Sequence, residues 1–313
     1  MLITFYLLLI GLVGCLLLAF ISLISGWLTR SGALLLVLLG TAVFTLSPVM
    51  AGYLALFFAM SYLLHGAKKA FHLGKSTSTP ATAPNATAVI GDDDVLFTIA
   101  EGTAPKRPED CLFAKNSADR IAKSGPRDGW QVAANCGPLL LALLWQQLAG
   151  GDPRLSLCQI AVIAGAAADT WSSEIGVLSH QVPHSLVTGR PLAAGLSGGI
   201  TLLGTAAGAT AAGLLAAAWW LPNYLFFPQN TTAITFWLPA LCGFAATWID
   251  SLLGAVLQQK YRCPVCGEIT ENPQHHGVAA VKISGVTGFN NDTVNFFSGL
   301  LTLGLAYLWL TLF

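Results

Sequence analysis

The sequence repeatedly offers stretches of about 20 mostly apolar residues, the length that an α-helix needs to cross the hydrocarbon core of a bilayer. There are eight such stretches, at about 2–28, 31–47, 49–64, 131–149, 155–178, 193–221, 232–258 and 294–313. Only 10% of the 313 residues are charged, against roughly 25% in a typical soluble domain. The pattern predicts an all-α, polytopic membrane helix bundle with about eight transmembrane helices, within a range of six to nine.

The apolar stretches also predict which helices lie at the edge and the centre of the bundle. The first has no basic residue before Arg30, whereas a signal peptide has a basic start and a shorter apolar core. We therefore expect a first transmembrane helix. The second and third are separated by Ser47 and Pro48, which suits a tight hairpin or a pair that does not fully cross. The fifth and sixth are rich in Gly and Ala, which favours a central position.

A long polar segment divides the chain into three parts. Residues 1–65 contain N-terminal transmembrane helices, 66–129 form a polar, partly disordered loop, and 130–313 form the transmembrane core that contains the motifs. Within the loop, 76–88 is rich in Ser, Thr, Pro and Ala and is predicted to be disordered. The acidic run at 92–94 is interpreted as solvated rather than as a metal site.

The basic residues are distributed unevenly between the connections. Of the 15 Lys and Arg, all but Arg154 fall in the first, third, fifth and seventh connections. The positive-inside rule places these connections on the cytoplasmic side, or on the stromal or matrix side of an organelle membrane. The formal net charge is zero, so no nucleic-acid partner is expected. The pattern does not indicate which membrane holds the protein or its oligomeric state.

Three acidic residues lie within apolar stretches: Asp169 and Glu174 in the fifth and Asp250 in the seventh. An acid in a membrane helix is costly and usually faces the bundle interior or a water-filled cavity. Both stretches run towards the basic side and hold their acids in the inner half, so we expect the three carboxylates to converge. The alternative for Glu174 and Asp250 is a position at the headgroups, at the end of a helix.

The connection after the fifth stretch combines donors suited to phosphate. It contains Thr188, Arg190, Ser197, Gly198 and Gly199. Gly and Ser before a helix leave backbone N–H groups free, and the helix dipole attracts anions there. An arginine adds a fork that matches phosphate oxygens. Carboxylates for Mg²⁺ beside donors for phosphate are the groups that phosphoryl transfer requires.

The seventh connection contains a second set of candidate ligands. Cys263 and Cys266 form a Cys-x-x-Cys pair, followed by His275 and His276. One or two histidines could complete a zinc site with the two thiolates; reduced thiols and a small disulfide are the alternatives.

Polar residues also gather around the start of the last stretch, at Lys282, Asn291, Asp292 and Asn295. Asp292 or Thr293 is suited to cap the helix. The Asn and Asp side chains could instead complete a metal or nucleotide site.

Five of these motifs, in this order, resemble the transmembrane-protein-19-like family, which includes the plant phytyl-phosphate kinase. They are residues 169–176, 188–199, 250–255, 261–271 and 291–295. The resemblance covers about Gly129 to Phe297, with a further match at 28–33. Residues 169–176 (DTWSSEIG) are also similar to the Asp-Thr-x-Ala-Ser-x-x-Gly pattern of dolichol and phytol kinases and of membrane CTP-dependent cytidylyltransferases.

The resemblance implies a phosphotransferase that moves a phosphoryl group from CTP to a prenyl or phytyl monophosphate, with lipid, nucleotide and bilayer as its partners. From the chemistry of their side chains, we assign Asp169, Glu174 and Asp250 as catalytic residues and Asp169 and Asp250 as ligands of Mg²⁺. Residues assigned to the nucleotide are Thr188, Arg190, Ser197, Gly198, Gly199, Lys282, Asn291, Asp292 and Asn295. From the chemistry of their side chains, and not from the resemblance, Cys263, Cys266 and His275 are candidate ligands of a structural zinc ion.

Two other classes of protein are alternatives to the phosphotransferase. A transporter or ion-coupled carrier would also use intramembrane carboxylates, and its sequence would show internal repeats. The fifth and seventh stretches share a loose pattern with an Asp in each, but they run in the same direction and therefore do not form an inverted repeat. A non-catalytic membrane subunit would leave the clustered acids without a role.

Overall fold

The computed structural model describes residues 2–75 and 125–312, without the side chains of residue 65 and residues 67–75. Within these ranges the chain forms eight α-helices, which confirms the all-α class. The predictions for 76–88 and 92–94 lie outside the described residues. The helices are α1 Leu2–Ile24, α2 Arg30–Leu46, α3 Pro48–Lys75, α4 Gly129–Leu148, α5 Leu155–Gly176, α6 Leu202–Phe226, α7 Ala233–Val256 and α8 Asn291–Leu312.

Five of the described helices are long and apolar enough, by length and composition, to cross a membrane: α1, α5, α6, α7 and α8. The shorter apolar helices are α2 and the Pro48–Leu64 part of α3. Large apolar side chains cover the outer surface, as with Ile3, which is 76% exposed, and Phe226, which is 74% exposed. Such a surface suits lipid contact, because soluble monomers rarely expose large contiguous apolar patches.

Two helix boundaries differ from the sequence prediction. The sixth apolar stretch was predicted from 193, but α6 begins at Leu202. Gly195 and Gly198 have φ values of 90° and 85°, a left-handed conformation that a helix excludes. Thr201 then caps the helix by accepting a hydrogen bond from the Gly204 N–H. The third stretch was predicted to end at 64, whereas α3 continues to Lys75, because a helix can extend beyond its apolar part.

Helix α5 occupies the centre of the bundle and contacts α3, α4, α6, α7 and α8. Ile160 and Ala164 are fully buried. A Cβ added at Gly243 of α7 would lie 2.7 Å from the Ala164 Cβ, so a glycine permits this close helix approach. Helix α6 packs its small residues against α5 but exposes Leu203 and Leu214. The predicted central position therefore holds for α5, while α6 lies beside it.

In the described part of the chain, seven short strands that the sequence did not predict lie in two of the connections. Between α5 and α6, β1 (His184–Ser185) pairs antiparallel with β2 (Gly199–Ile200). Between α7 and α8, β3 (Lys260–Arg262) lies between β4 (Ile269–Thr270) and β7 (Val281–Ser284), while β5 (Gln274–His275) pairs with β6 (Val278–Ala279). These strands are too short for an alternating pattern to reveal them.

The basic connections meet at one end of the bundle. The segment before α4 joins the α1–α2 connection, because the Arg127 N–H donates to the Trp27 carbonyl at 2.9 Å and the Thr29 N–H donates to the Arg127 carbonyl at 3.0 Å. A Cβ at Gly32 would lie 2.5 Å from the Arg127 oxygen, so only glycine fits there. At the opposite end, Arg154 forms an exposed ion pair with Asp152 at 2.8 Å.

Candidate functional site

A cavity between α4, α5, α7 and α8 brings Asp169 and Asp250 together. Their approach follows from the directions of α5 and α7, which both run towards the basic end. Two carboxamides, Asn135 of α4 and Asn295 of α8, complete the polar part of its lining. The rest of the lining is small or apolar, apart from two hydroxyls: Ala134, Pro138, Val162, Gly165, Ala166, Ala246, Ser298, Gly299 and Thr302.

Helix α8 orients Asp250 through the side chain of Asn295. With its NH₂ group turned towards the carboxylate, Asn295 donates to Asp250 Oδ2 at 3.0 Å and to the Asn291 carbonyl at 3.2 Å. Nearby, the Ser298 hydroxyl donates to the Ala246 carbonyl at 3.2 Å. These bonds fix α8 against α7 along the cavity. An asparagine that orients a carboxylate is typical of the residues that support a functional group rather than react.

Glu174, the third predicted acid, lies outside the cavity lining and interacts electrostatically with Arg127. Burial lowers the pKa of Arg127 below its ordinary value, while the negative charges of Glu174 and then Asp169 oppose this effect. A guanidinium retains its charge in proteins under such conditions. The guanidinium carbon of Arg127 lies 5.7 Å from the centre of the Trp27 ring. Arg127 therefore supplies a fixed positive charge beside the acids.

Glu271, in the α7–α8 connection, contacts the α5–α6 connection at the basic end of the bundle. It is 7% exposed, and its carboxylate accepts hydrogen bonds from the Ser197 backbone N–H and from Gln258 Nε2 at 2.7 Å. Burial raises the pKa of Glu271, an effect opposed by the Ser197 hydrogen bond, the charge of Lys260 and the Gln258 hydrogen bond. Glu271 is also within electrostatic range of Asp250.

The part of the α5–α6 connection that contains Ser197, Gly198 and Gly199 packs against α7 instead of remaining open before a helix. A Cβ at Gly198 would lie 2.5 Å from the Ala255 Cβ, and a Cβ at Gly254 would lie 2.9 Å from the Ser197 Cβ. The Ser197 N–H, predicted to contact phosphate, donates to Glu271. Gly199 pairs with Ser185 in the β1–β2 sheet.

The remaining residues predicted to contact the nucleotide do not line this cavity. Thr188 and Arg190 are exposed on the α5–α6 connection. Lys282 is exposed and donates to Thr287 Oγ1 at 2.8 Å. Asp292 is buried one turn before Asn295, on the same helix face because the two are three residues apart.

The residue that caps α8 is not one of the two that the sequence predicted. Asn290 Oδ1 accepts from the Thr293 N–H at 3.0 Å, so Asn290 caps the helix in place of Asp292 or Thr293. Asn291 follows at the first helical position, and its carbonyl accepts from Asn295.

The three predicted zinc ligands do lie together. The ligand atoms of Cys263, Cys266 and His275 are all within 4.8 Å of one another, and both cysteines are free thiols.

Sequence reasoning did not assign three residues that the structure places at or near the cavity: Arg127, Asn135 and Glu271. Asn135 had a usable signal, since a carboxamide in an apolar stretch needs a polar surrounding. Arg127 and Glu271 reach the site through contacts with distant parts of the chain, which no local pattern indicates.

The helices and the cavity define a polytopic integral membrane protein with a polar site between its helices. The chain belongs to the family described as integral membrane protein DUF92, whose model matches residues 112–303. It is 33% identical to Protein PGR of Arabidopsis thaliana over 228 residues, which cover 66% of this chain and 77% of that protein. These matches confirm the resemblance to the transmembrane-protein-19-like family.

A shorter match links the chain to an archaeal protein. An uncharacterized membrane protein of Methanocaldococcus jannaschii is 33% identical over 129 residues, 41% of this chain and 48% of that protein. The chain thus spans about half the length of this relative. No solved structure matches the chain significantly.

Proposed function

We propose that this protein is a membrane-embedded phosphotransferase that transfers a phosphoryl group from CTP to an isoprenoid-lipid monophosphate, such as a phytyl or prenyl phosphate. The supporting observation is the cavity that Asp169 and Asp250 share with two carboxamides. Burying two acids between membrane helices is costly, and a shared cationic ligand offsets that cost. The family resemblance supplies the class of substrate and the nucleotide.

The donor set of the cavity fits Mg²⁺. This ion prefers oxygen ligands and is commonly held by one or two carboxylates together with substrate phosphates. Asp169 and Asp250 would hold it, with Asn295 keeping the Asp250 carboxylate in place. The ion would supply positive charge to the phosphate oxygens.

The chain's own residues would bind and orient the reactants. An oxygen of the lipid monophosphate forms a bond to the terminal phosphorus of CTP, the bond to the bridging oxygen breaks, and CDP leaves. The attacking phosphate is already ionised at neutral pH, so catalysis depends on positioning and charge neutralisation. Arg127 contributes positive charge beside Asp169. No general base is assigned.

The substrates would approach from different directions. Val162, Ala166 and Ala246 give one part of the cavity an apolar lining, where an isoprenoid chain would lie between the helices. The nucleotide would arrive from the basic end, which faces the cytoplasm or the stroma or matrix of an organelle under the positive-inside rule.

A phosphoryl-transfer assay on purified protein in detergent tests the proposal. CTP, ATP and UTP are each offered with phytyl, geranylgeranyl, farnesyl and dolichyl monophosphates in the presence of Mg²⁺. We expect a diphosphate product from CTP and one of the isoprenoid phosphates. Absence of product with every pair, together with solute uptake into liposomes, would instead indicate a transporter.

A pair of isosteric variants links the activity to the cavity. Asp169→Asn is expected to lower turnover by about a hundredfold or more, the scale of losing a preorganised charge contact. The matched Asp152→Asn variant, at the opposite end of the bundle, is expected to keep activity. Size-exclusion profiles and helical circular dichroism confirm folding. Full activity of Asp169→Asn excludes Asp169 from the reaction.

A further inference from the structure

We infer that Cys263, Cys266 and His275 bind a zinc ion that stabilises the α7–α8 connection. The first observation is the conformation of residues 263–267 (CPVCG), which form the turn between β3 and β4. The Gly267 N–H donates to the Cys263 carbonyl at 2.9 Å, and the Cys263 N–H donates to the Glu268 carbonyl at 3.0 Å. Gly267 has a φ of 73°, which allows the turn to present both thiols on one side.

The third ligand comes from the next hairpin. His275 ends β5, and its Nδ1 lies 3.5 Å from the Cys266 sulfur. Zn–S bonds of about 2.3 Å and Zn–N bonds of about 2.05 Å, at a tetrahedral angle, separate the sulfur and nitrogen by about 3.6 Å. The observed distance therefore matches a pair of ligands around one ion. Cys263 and His275 are 1% and 6% exposed.

The donor chemistry distinguishes this site from the membrane cavity. Thiolate and imidazole donors select zinc over Mg²⁺, which prefers oxygen. Zinc has a fourth tetrahedral position, which a water molecule or another side chain fills. A disulfide is the competing arrangement, yet both cysteines are free thiols.

The location of the cluster explains what the ion would do. Strand β4 leads from the Cys263–Cys266 turn directly to Glu271, which binds the Ser197 N–H. Short strands with little buried apolar surface have low intrinsic stability, and a structural zinc supplies folding free energy. The ion would therefore hold β4 and Glu271 in place beside α7. Zinc binding is independent of the phosphotransferase proposal, since it is measured without any substrate.

Metal analysis of the purified full-length protein is the primary test. Elemental mass spectrometry is expected to find about one zinc per chain, the stoichiometry of a single tetrahedral site. Cys266→Ser and His275→Gln are expected to lose most of it. Cys242→Ala, a buried thiol in α7, and His180→Gln, an exposed histidine, serve as matched controls and are expected to retain it. Zinc that persists in both ligand variants would exclude this site.

A second measurement uses wild-type protein, so it does not depend on the folding of variants. Blocking the thiols with a mercurial reagent is expected to release zinc to a metallochromic dye. Protein produced with Co²⁺ is expected to show the absorption bands of tetrahedral cobalt with thiolate ligands. Wild-type protein without stoichiometric zinc, or a Cys263–Cys266 disulfide in its peptide mass spectrum, would overturn the inference.

Discussion

The buried carboxylate of Glu271 accepts a hydrogen bond from the backbone N–H of Ser197, 74 residues earlier in the chain. The contact joins the α5–α6 connection to the α7–α8 connection across the end of α7. Ser197 packs on Gly254, and Glu271 is within electrostatic range of Asp250. The backbone donor that was predicted to bind phosphate thus fixes the loop next to the acidic cavity.

The raised pKa of Glu271 leads to a prediction about stability and pH. Burial raises its pKa above the ordinary value of 4.5, so the folded protein binds the proton more tightly than the unfolded chain. The resulting stabilisation is complete below pH 4.5 and is lost as the pH rises through the folded-state pKa. We therefore expect the thermal midpoint of the wild type to fall relative to that of Glu271→Gln as the pH rises through this range. Thermal unfolding in detergent measures it, and a difference independent of pH would contradict the assignment.

Gly198→Ala is expected to be more destabilising than Gly189→Ala. Both glycines have a left-handed φ, of 85° and 65°, which costs an alanine about 1–2 kcal/mol. Only Gly198 faces Ala255, with a Cβ separation of 2.5 Å, while the space around Gly189 is open. Overpacking adds about 1–3 kcal/mol. Equal losses of thermal stability in the two variants would show that the loop does not pack on α7 as described.

Arg127 and Glu174 are expected to be energetically coupled. Arg127→Gln removes a positive charge that interacts with two acids, whereas the further change Glu174→Gln removes one of those negative charges. The double variant should therefore be less destabilised than the sum of the single variants, with a coupling energy of about 0.5–3 kcal/mol. Unfolding of the four proteins measures the coupling. The same cycle with Arg30, an exposed residue at this end, should give a value close to zero.

Two glycine-to-alanine changes in membrane helices are expected to have opposite effects. Gly213→Ala in α6 adds a methyl group to open space and should stabilise the helix by about 0.5–1 kcal/mol. Gly243→Ala in α7 should destabilise the protein, because its Cβ would lie 2.7 Å from the Ala164 Cβ. Thermal midpoints in the same detergent compare the two. A stabilising Gly243→Ala would mean that α5 and α7 lie further apart.

The sequence predicted those parts of the site that depend on helix direction. Asp169 and Asp250 meet because α5 and α7 run the same way and each holds its acid near the same end. Gly and Ala content predicted the central place of α5. These inferences succeed because a membrane restricts helices to crossing directions and penalises unpaired charge.

The connections could not be predicted in the same way. The anion-binding interpretation of Ser197 and Gly198 assumed a free backbone, but Glu271 occupies the Ser197 N–H and Ala255 covers Gly198. Arg127 depends on a backbone pairing with Trp27 and Thr29. Such contacts join residues far apart in sequence, and no local periodicity encodes them.

The backbone pairing of Arg127 with Trp27 and Thr29 also bears on how this chain can change during evolution. Arg127 is anchored to the start of α2 by these bonds, and the Gly129 N–H donates to Ser31 Oγ at 3.2 Å. The far end of the long connection is thus fixed independently of its length. Insertions and deletions between α3 and Gly125 should leave Arg127 beside the acids. We expect related chains to differ widely in length there while retaining a glycine at the position of Gly32.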